Sequence, residues 1–418
     1  MAEPIQEVSV QRPGHATAAK TPATTPLREV LHHRGYWQWT ATAQLIGLPP
    51  LMASLGLVLA GTYATGSVGV GGLMVTVYVV ALTLCAPLTG RLLDRVGPAT
   101  GTPYLLGFAT LALSGLAAAV ILKASALPLL LLAGLSGVFA AGSSAAMRSL
   151  LNQVVPARLL TPALSINSIA VELTVVSGPL IVALAAIAAP PGAIVAMVAI
   201  TAVGAFGVRR MREILSVTET ARTANNSNSA DTLVAGSLWR NRRFLFWMLV
   251  SVAFGHALGT AETGAFPLAT ELGGGTREAA LLIAALSVCS LSSGLAYAGL
   301  SHRLRISPPV QASVMLALMV IGSAGLGMSN TWPTAAVSMA VLGFCAAPLY
   351  TIRSVASEDD MPPGRRAEGF GTLFAANGLG FALGGLLLAL LPLSWMLVAG
   401  GGSALVAFLA APVVMRGS

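Results

Sequence analysis

The sequence predicts an all-α membrane protein in which twelve transmembrane helices form two pseudo-symmetric six-helix bundles. Three observations predict this fold class: the long apolar stretches, the distribution of basic residues between them, and a weak internal repeat. Charged residues make up only 9% and apolar residues 55% of the 418 residues, which excludes an ordinary soluble globular domain. The chain is therefore expected to be a multi-pass membrane protein.

The apolar stretches have the length that a membrane crossing requires. A helix needs about 20 mainly apolar residues to cross the roughly 30 Å hydrocarbon core of a bilayer. All six Trp residues lie near an end of a predicted span, where indole rings prefer the interface. The predicted spans are 38–61, 68–89, 102–122, 128–150, 164–188, 192–208, 244–268, 279–299, 309–329, 333–352, 369–391 and 394–414.

The basic residues predict the orientation of these spans. With the N-terminus inside, all but two of the 23 Lys and Arg residues fall on the inner side, and Lys123 and Arg277 are the exceptions. This asymmetry obeys the positive-inside rule and places both termini in the cytoplasm. The basic loops also favour contact with anionic membrane lipids. Despite the net charge of +8, nucleic acid is therefore not an expected partner.

Polar stretches divide the chain into four parts. Residues 1–35 are expected to be a disordered cytoplasmic tail, because the region is polar and contains Pro, Thr and Ala. Residues 36–208 form the N-terminal six-helix bundle and 244–415 the C-terminal one. Between them, residues 209–243 are rich in Asn, Ser and Thr with flanking Arg clusters, which is typical of a flexible cytoplasmic linker.

The two predicted bundles repeat each other weakly. Ala146–Ser149 at the end of span 4 corresponds to Thr351–Ser354 at the end of span 10. The segment Gly90–Gly97 after span 2 corresponds to the degraded segment Ala298–Arg303 after span 8. The near-constant spacing between such matches indicates duplication of a six-helix unit.

The segment between predicted spans 2 and 3 is the most specific motif. It reads Gly90-Arg91-Leu92-Leu93-Asp94-Arg95-Val96-Gly97 and matches G-x-L-x-D-R-x-G, the signature of the major facilitator superfamily at this place. The chain resembles that superfamily over roughly residues 36–415, and most of all its bacterial exporters of drugs and metabolites with twelve spans. The resemblance implies two bundles around a central cavity that opens alternately to each side. It also implies a location in the bacterial plasma (inner) membrane.

The motif itself has two interpretations. The residues favour a short loop bounded by Gly90 and Gly97, with Asp94 and Arg95 in the headgroup zone, where the loop can act simply as a helix cap and a topogenic element. The resemblance implies that these four residues form a gating loop. In that role Asp94 would contact the positive end of span 11 near Gly369 and help to hold one conformational state.

Only two acidic residues lie within the predicted spans, Glu172 in span 5 and Glu262 in span 7. Ionisable groups inside a bilayer are costly and are retained for a reason. Glu172 lies near the midplane, Ser168 shares its helix face, and Asn167 is close by, so this stripe is expected to line a wet cavity. Glu172 is therefore predicted to couple protons or contact substrate, or alternatively to be a structural carboxyl group.

Span 7 contains two further candidates for the cavity. Glu262 lies toward its outer third and His256 near its middle. Six residues correspond to 600° of helical rotation, so the two side chains are not expected to form a pair. Each is predicted to contribute to coupling or to the cavity, and a hydrogen-bonded packing role is the alternative.

Two smaller features complete the candidate site. Gly178-Pro179 predicts a bend in span 5, because Pro removes a helical hydrogen bond. In the resembled family a G-P-x-x-G element here accompanies antiport, but Val182 replaces the second Gly. Arg148 and Arg353, at the inner ends of spans 4 and 10, are expected to form part of a cytoplasmic gate or to act as interfacial anchors.

These features predict a secondary transporter that works by alternating access and exports a small amphipathic drug or metabolite in exchange for protons. The sequence contains no nucleotide-binding, catalytic or metal-binding motif, so neither an enzyme nor a cofactor is expected. The expected partners are the small-molecule substrate, protons and membrane lipids, and the protein is expected to be a monomer. The alternatives are an importer or uniporter of a sugar-like solute and, less well supported, a non-transporting sensor. Substrate identity and transport direction do not follow from the sequence.

Overall fold

The computed structural model describes residues 26–156, 159–189, 191–219, 241–300, 306–361 and 366–415, and these residues are helical apart from short connections. The helices are α1 Pro26–His32, α2 Arg34–Thr65, α3 Val68–Val96, α4 Pro98–Ile121, α5 Ala126–Ala140, α6 Ser143–Val154, α7 Leu160–Ala188, α8 Gly192–Glu219, α9 Arg242–Glu271, α10 Thr276–Leu300, α11 Pro308–Gly327, α12 Trp332–Asp359, α13 Arg366–Leu390 and α14 Leu393–Met415.

The helices confirm a multi-pass membrane protein that is all-α in its described part. Eleven segments of the described residues are long and apolar enough to cross a membrane, with α5 and α6 together supplying one of them, 126–151. In α7 a shorter apolar segment runs from Leu173 to Ala188. Successive long helices run in opposite directions, so one face of the molecule carries both the end of α8 and the start of α9. We call this the linker face, and the other the opposite face.

Close backbone contacts through glycine hold the C-terminal helices together. A Cβ atom at Gly255 or Gly259 of α9 would collide with the backbone of α13 at Asn377 and Phe381. Between α10 and α12, Gly343 lies against the backbone of Leu286 in the same way. Lipid tails are as apolar as the side chains, so small residues that let helices approach closely stabilise the bundle by packing.

Two predicted boundaries are wrong. The predicted disordered tail, 1–35, includes α1 and the start of α2, while residues 1–25 lie outside the described part. The predicted linker, 209–243, overlaps the end of α8, which continues to Glu219, and the start of α9 at Arg242. Helix propensity and i,i+4 contacts extend helices beyond the apolar core, and a hydropathy pattern does not detect this extension.

The predicted fourth span is broken. Instead of one helix over 128–150, α5 ends at Ala140 and α6 begins at Ser143. Gly142 between them has φ of 75°, which is the left-handed conformation that glycine adopts without strain. A Cβ atom there would also collide with Thr89 of α3. The break therefore lies beside the end of α3, where the sequence motif is located.

Candidate functional site

The two halves meet along a seam between α3 and α13. Near the opposite face, Gly72 lies against the backbone of Gly385. The Thr76 hydroxyl donates a hydrogen bond to the carbonyl oxygen of Ala382, at 3.1 Å, and midway along the helices Thr83 lies against Gly378. The halves are therefore in direct contact over the half of the seam nearest the opposite face.

Toward the linker face the seam is not continued. The positions that would extend it on α3, Pro87 and Arg91, are exposed. On α13 the corresponding positions, Gly371 and Phe374, are also exposed, and no atom of the described residues approaches Gly371 closely. Along α3 and α13 the halves are thus in contact toward the opposite face, and the described residues of these two helices do not continue that contact toward the linker face.

Glu262 lies at the closed end of the boundary between the halves. Its partly buried side chain on α9 faces Ser54 of α2, whose hydroxyl is buried and lies outside hydrogen-bond geometry to any described group. Ser54 and Glu262 are separated by as many residues as Gly90 and Ala298. Ser54 and Glu262 therefore occupy equivalent positions in the two copies of the repeat. This facing pair of equivalent positions joins α2 to α9.

His256 does not contact Glu262. Its Nδ1 lies 3.1 Å from the Ser403 hydroxyl on α14, while its Nε2 is buried and has no hydrogen-bond partner among the described residues. No hydrogen bond joins His256 to Glu262 among the described residues, which agrees with the expectation from their spacing. Within the described part of the chain, no hydrogen bond therefore offsets the free-energy cost of burying Nε2 away from water.

Sequence reasoning missed Gln44, which organises the polar groups of the N-terminal half. Gln44 Nε2 on α2 donates to Asn167 Oδ1 on α7 at 2.9 Å, and Thr174 Oγ1 donates to Gln44 Oε1 at 2.8 Å. Asn167 and Thr174 are two turns apart, so one amide binds a single stripe of α7. The signal in the sequence is an amide residue within a predicted span, because such groups need a partner inside a bilayer.

The remaining predicted residues of span 5 are placed only in part. Glu172 and Ser168 lie on α7, and their side chains are outside the described part. At 100° per residue, position 172 lies about 140° around the helix from Asn167, away from the stripe that contacts α2. The helix continues through Gly178 and Pro179, and Gly178 packs against Leu51 of α2.

The segment that is predicted to be a gating loop is helical as far as Val96. Gly90 and Arg95 lie in the last turns of α3, which continues to Val96, and the chain turns at Gly97 with φ of 92°. Asp94 also lies on this helix, and its side chain is outside the described part. Glycine within a helix is tolerated where packing compensates, so Gly90 is helical and only the positive φ at Gly97 requires glycine.

The two predicted gate arginines have different surroundings. Arg148 on α6 is exposed. Arg353 is only 5% exposed and lies under aromatic rings, so it is not an anchor that reaches the interface. Arg353 is predicted at the inner end of span 10, but α12 continues to Asp359, so Arg353 is not at the end of the helix.

Two tryptophans at equivalent positions of the repeat also differ. Trp39 Nε1 at the start of α2 donates to the backbone carbonyl of Met147, at 2.7 Å. Trp247 Nε1 at the start of α9 donates instead to the carboxylate of Asp360, at 3.0 Å, and Arg243 lies 3.9 Å from that carboxylate. Burial raises the pKa of Asp360, against the opposing effects of Trp247 and Arg243.

Known proteins match this chain at the level of family and fold. The sequence profile of the Major Facilitator Superfamily matches residues 35–327. No curated protein matches the sequence.

Three solved structures illustrate the likeness in fold. A peptide transporter in complex with sulfate is similar with a TM-score of 0.71 at 13% identity, covering 92% of this chain and 96% of that one. A D-xylose–proton symporter gives a TM-score of 0.66 at 13% identity, with coverage of 90% and 96%. A nucleoside transporter gives 0.65 at 14% identity, with coverage of 91% and 99%. At these identities the likeness shows the shared fold alone.

Proposed function

We propose that this protein exchanges protons for a small amphipathic drug or metabolite and exports that substrate. The premise is that the chain belongs to the major facilitator superfamily and is therefore a membrane transporter. Efflux, the coupling ion and the substrate class are the parts that go beyond the family. With the linker face in the cytoplasm, as the basic residues predict, the contact between α3 and α13 lies toward the outside and is not continued toward the inside.

The position of Glu262 carries the proposal. It is a carboxyl group inside a span, at the end of the boundary where the two halves touch. Alternating access requires this contact to part when the linker face closes. The surroundings of Glu262 then change from packed protein to water, and the proton affinity of a carboxyl group depends on that change.

The same position links proton release to substrate movement. In the closed arrangement Glu262 lies against Ser54 at the contact between the halves, and burial there makes a neutral, protonated carboxyl group less costly than a carboxylate. When α2 and α9 separate, this contact is lost and water reaches the carboxyl group. A proton bound from outside while α2 and α9 are apart therefore stabilises the return to the state that is open to the cytoplasm. Substrate that enters from the cytoplasm then displaces this proton to the cytoplasmic side, before α2 and α9 separate again. Glu172 is the second candidate for this role.

The test is proton exchange in everted membrane vesicles that contain the wild type, Glu262→Gln, Glu172→Gln or the control Glu271→Gln. Glu271 is exposed at the end of the same helix. Lumenal pH is followed by fluorescence quenching while drugs and secreted metabolites are added. We expect at least one compound to release lumenal protons with the wild type and with Glu271→Gln, but not with Glu262→Gln.

The other outcomes separate the parts of the proposal. Loss of exchange in Glu172→Gln alone assigns coupling to Glu172 and removes it from Glu262. Transport of a compound without proton movement in any variant leaves a transporter that is not proton-coupled. If no compound moves protons or is itself transported by a demonstrably folded wild type, the proposed efflux is wrong.

A further inference from the structure

Arg353 is a buried cation well inside the C-terminal half. Its side chain is 5% exposed, and its guanidinium carbon lies 4.6 Å from the ring centroid of Tyr350 and 5.7 Å from that of Phe254 on α9. Phe254 is twelve residues from the start of α9, or about 18 Å along its axis. The guanidinium is therefore deeper than the headgroup zone of the linker face.

No acidic partner accounts for this charge within the described part of the chain. Nε and Nη1 of Arg353 have no hydrogen-bond partner there, and no described carboxylate forms an ion pair with it. The polar group that faces it is the Tyr350 phenol. Two cation–π contacts contribute about 0.5–2 kcal/mol each, which is less than the cost of burying an unpaired guanidinium.

The ring beside this cation is accessible. Val337, Phe344 and Thr351 form one exposed stripe of α12. Tyr350 lies about 100° around the helix from that stripe, and its side chain is 51% exposed. The helix therefore has a second exposed direction, on the side that faces α9, and a ligand that contacts Tyr350 there lies next to the guanidinium.

We propose that Arg353, Tyr350 and Phe254 form a binding site for the carboxylate group of an amphipathic organic acid. A carboxylate that binds one edge of the guanidinium, either Nε with Nη2 or Nη1 with Nη2, satisfies one of the two unpaired nitrogens in the bidentate geometry that arginine favours. The apolar part of the acid lies against the accessible face of Tyr350. This inference rests on the proposed function, because it names the chemical class of the transported substrate.

The test uses the purified full-length chain and two probes of the same shape, the anion naphthoate and the neutral naphthamide. Tm is followed as either probe is added, with sodium chloride at equal ionic strength as the reference. We expect naphthoate to raise Tm in a concentration-dependent manner, and naphthamide to have no comparable effect. Arg353→Met should weaken naphthoate binding at least about tenfold, while Arg209→Gln, which removes an exposed arginine on α8, should respond as the wild type does.

A second readout tests whether Arg353 is structural. Without ligand, Arg353→Met should unfold at the same or a higher temperature than the wild type, because it removes an unpaired buried charge. A marked fall in Tm would mean that the charge is paired within the chain, and this overturns the inference. Absence of naphthoate binding to the wild type, or unchanged binding in Arg353→Met, also overturns it.

The vesicle assay keeps this inference separate from the proposed function. Proton exchange by the wild type together with a failed naphthoate test removes the organic-acid site and leaves efflux standing. Naphthoate binding that depends on Arg353, in a protein that exchanges no protons, keeps the site and removes proton-coupled efflux.

Discussion

The two halves of the molecule pair their buried polar groups differently. In the N-terminal half, the amide of Gln44 is bonded to both Asn167 and Thr174. In the C-terminal half, His256 and Arg353 each bury nitrogen atoms that have no partner among the described residues. The buried side chains without a partner in the described N-terminal half are hydroxyl groups, which are less costly than an imidazole or a guanidinium.

The buried polar groups therefore have different roles in the two halves, although the halves are copies of one repeat. Paired polar groups between α2 and α7 fix the packing of the N-terminal half. In the C-terminal half, the unpaired nitrogens of His256 and Arg353 are costly to bury. A ligand, a proton or a change of conformational state can offset that cost. We therefore expect substitutions in the N-terminal network to act on stability, and substitutions at the unpaired groups to act on function.

The largest stability effect is expected for Gln44→Leu. The substitution leaves the Asn167 side-chain oxygen without its partner inside the bundle, while the Thr174 hydroxyl loses one partner and keeps its bond to the carbonyl of Ala170 at 2.8 Å. We expect the free energy of unfolding to fall by about 1–3 kcal/mol, measured by thermal unfolding of the purified protein. Gln38→Leu is the matched control, because Gln38 is exposed on the same helix. Equal stability of Gln44→Leu and Gln38→Leu would remove the contrast between the halves.

A smaller stability effect is expected for His256→Leu. The substitution loses one contact, to the Ser403 hydroxyl, which keeps its bond to the carbonyl of Gly400 at 2.8 Å. It also removes an unpaired buried nitrogen, so we expect a change of less than about 1 kcal/mol. Proton exchange in vesicles should nevertheless decrease. A large loss of stability with intact exchange would make His256 a packing residue.

The sequence predicted most of the helices because long apolar stretches and basic loops follow from the bilayer itself. It did not predict that α3 continues through the motif to Val96, since glycine at position 90 resembles a loop signal. Gly90 is helical, whereas Gly97 has a positive φ and forms the turn. The residue type is the same at both positions, so the sequence alone does not distinguish them.

The candidate site was less predictable, because its geometry depends on partners far apart in the chain. Gln44 is hydrogen-bonded to Asn167 on another helix, and Ser54 faces Glu262 in the other half, so neither role follows from the local sequence. Arg353 was expected near the membrane surface because the apolar run stops at 352, whereas α12 continues to Asp359. Hydropathy locates the end of an apolar run and not the depth at which a long side chain is buried.

The equivalent tryptophans offer the smallest and most selective test of the contrast between the halves. Trp39 is bonded to a backbone carbonyl, which does not titrate, and Trp247 to the carboxylate of Asp360, which does. Burial raises the pKa of Asp360, so the folded state binds this proton more tightly than the unfolded state. The contribution of Asp360 to stability is therefore full below the unfolded pKa and is lost as the pH rises through the folded pKa.

We expect the wild type to lose stability relative to Asp360→Asn as the pH rises from about 4 toward neutrality, by less than about 1 kcal/mol. The variant keeps an oxygen that accepts the Trp247 hydrogen bond and removes the titration. Thermal unfolding across this pH range measures the difference, and Glu271→Gln, which removes an exposed carboxyl group at the far end of α9, should follow the wild type. If Asp360→Asn instead follows the wild type at every pH, the Trp247 contact does not depend on protonation. The start of α9 is then fixed in the same pH-independent way as the start of α2.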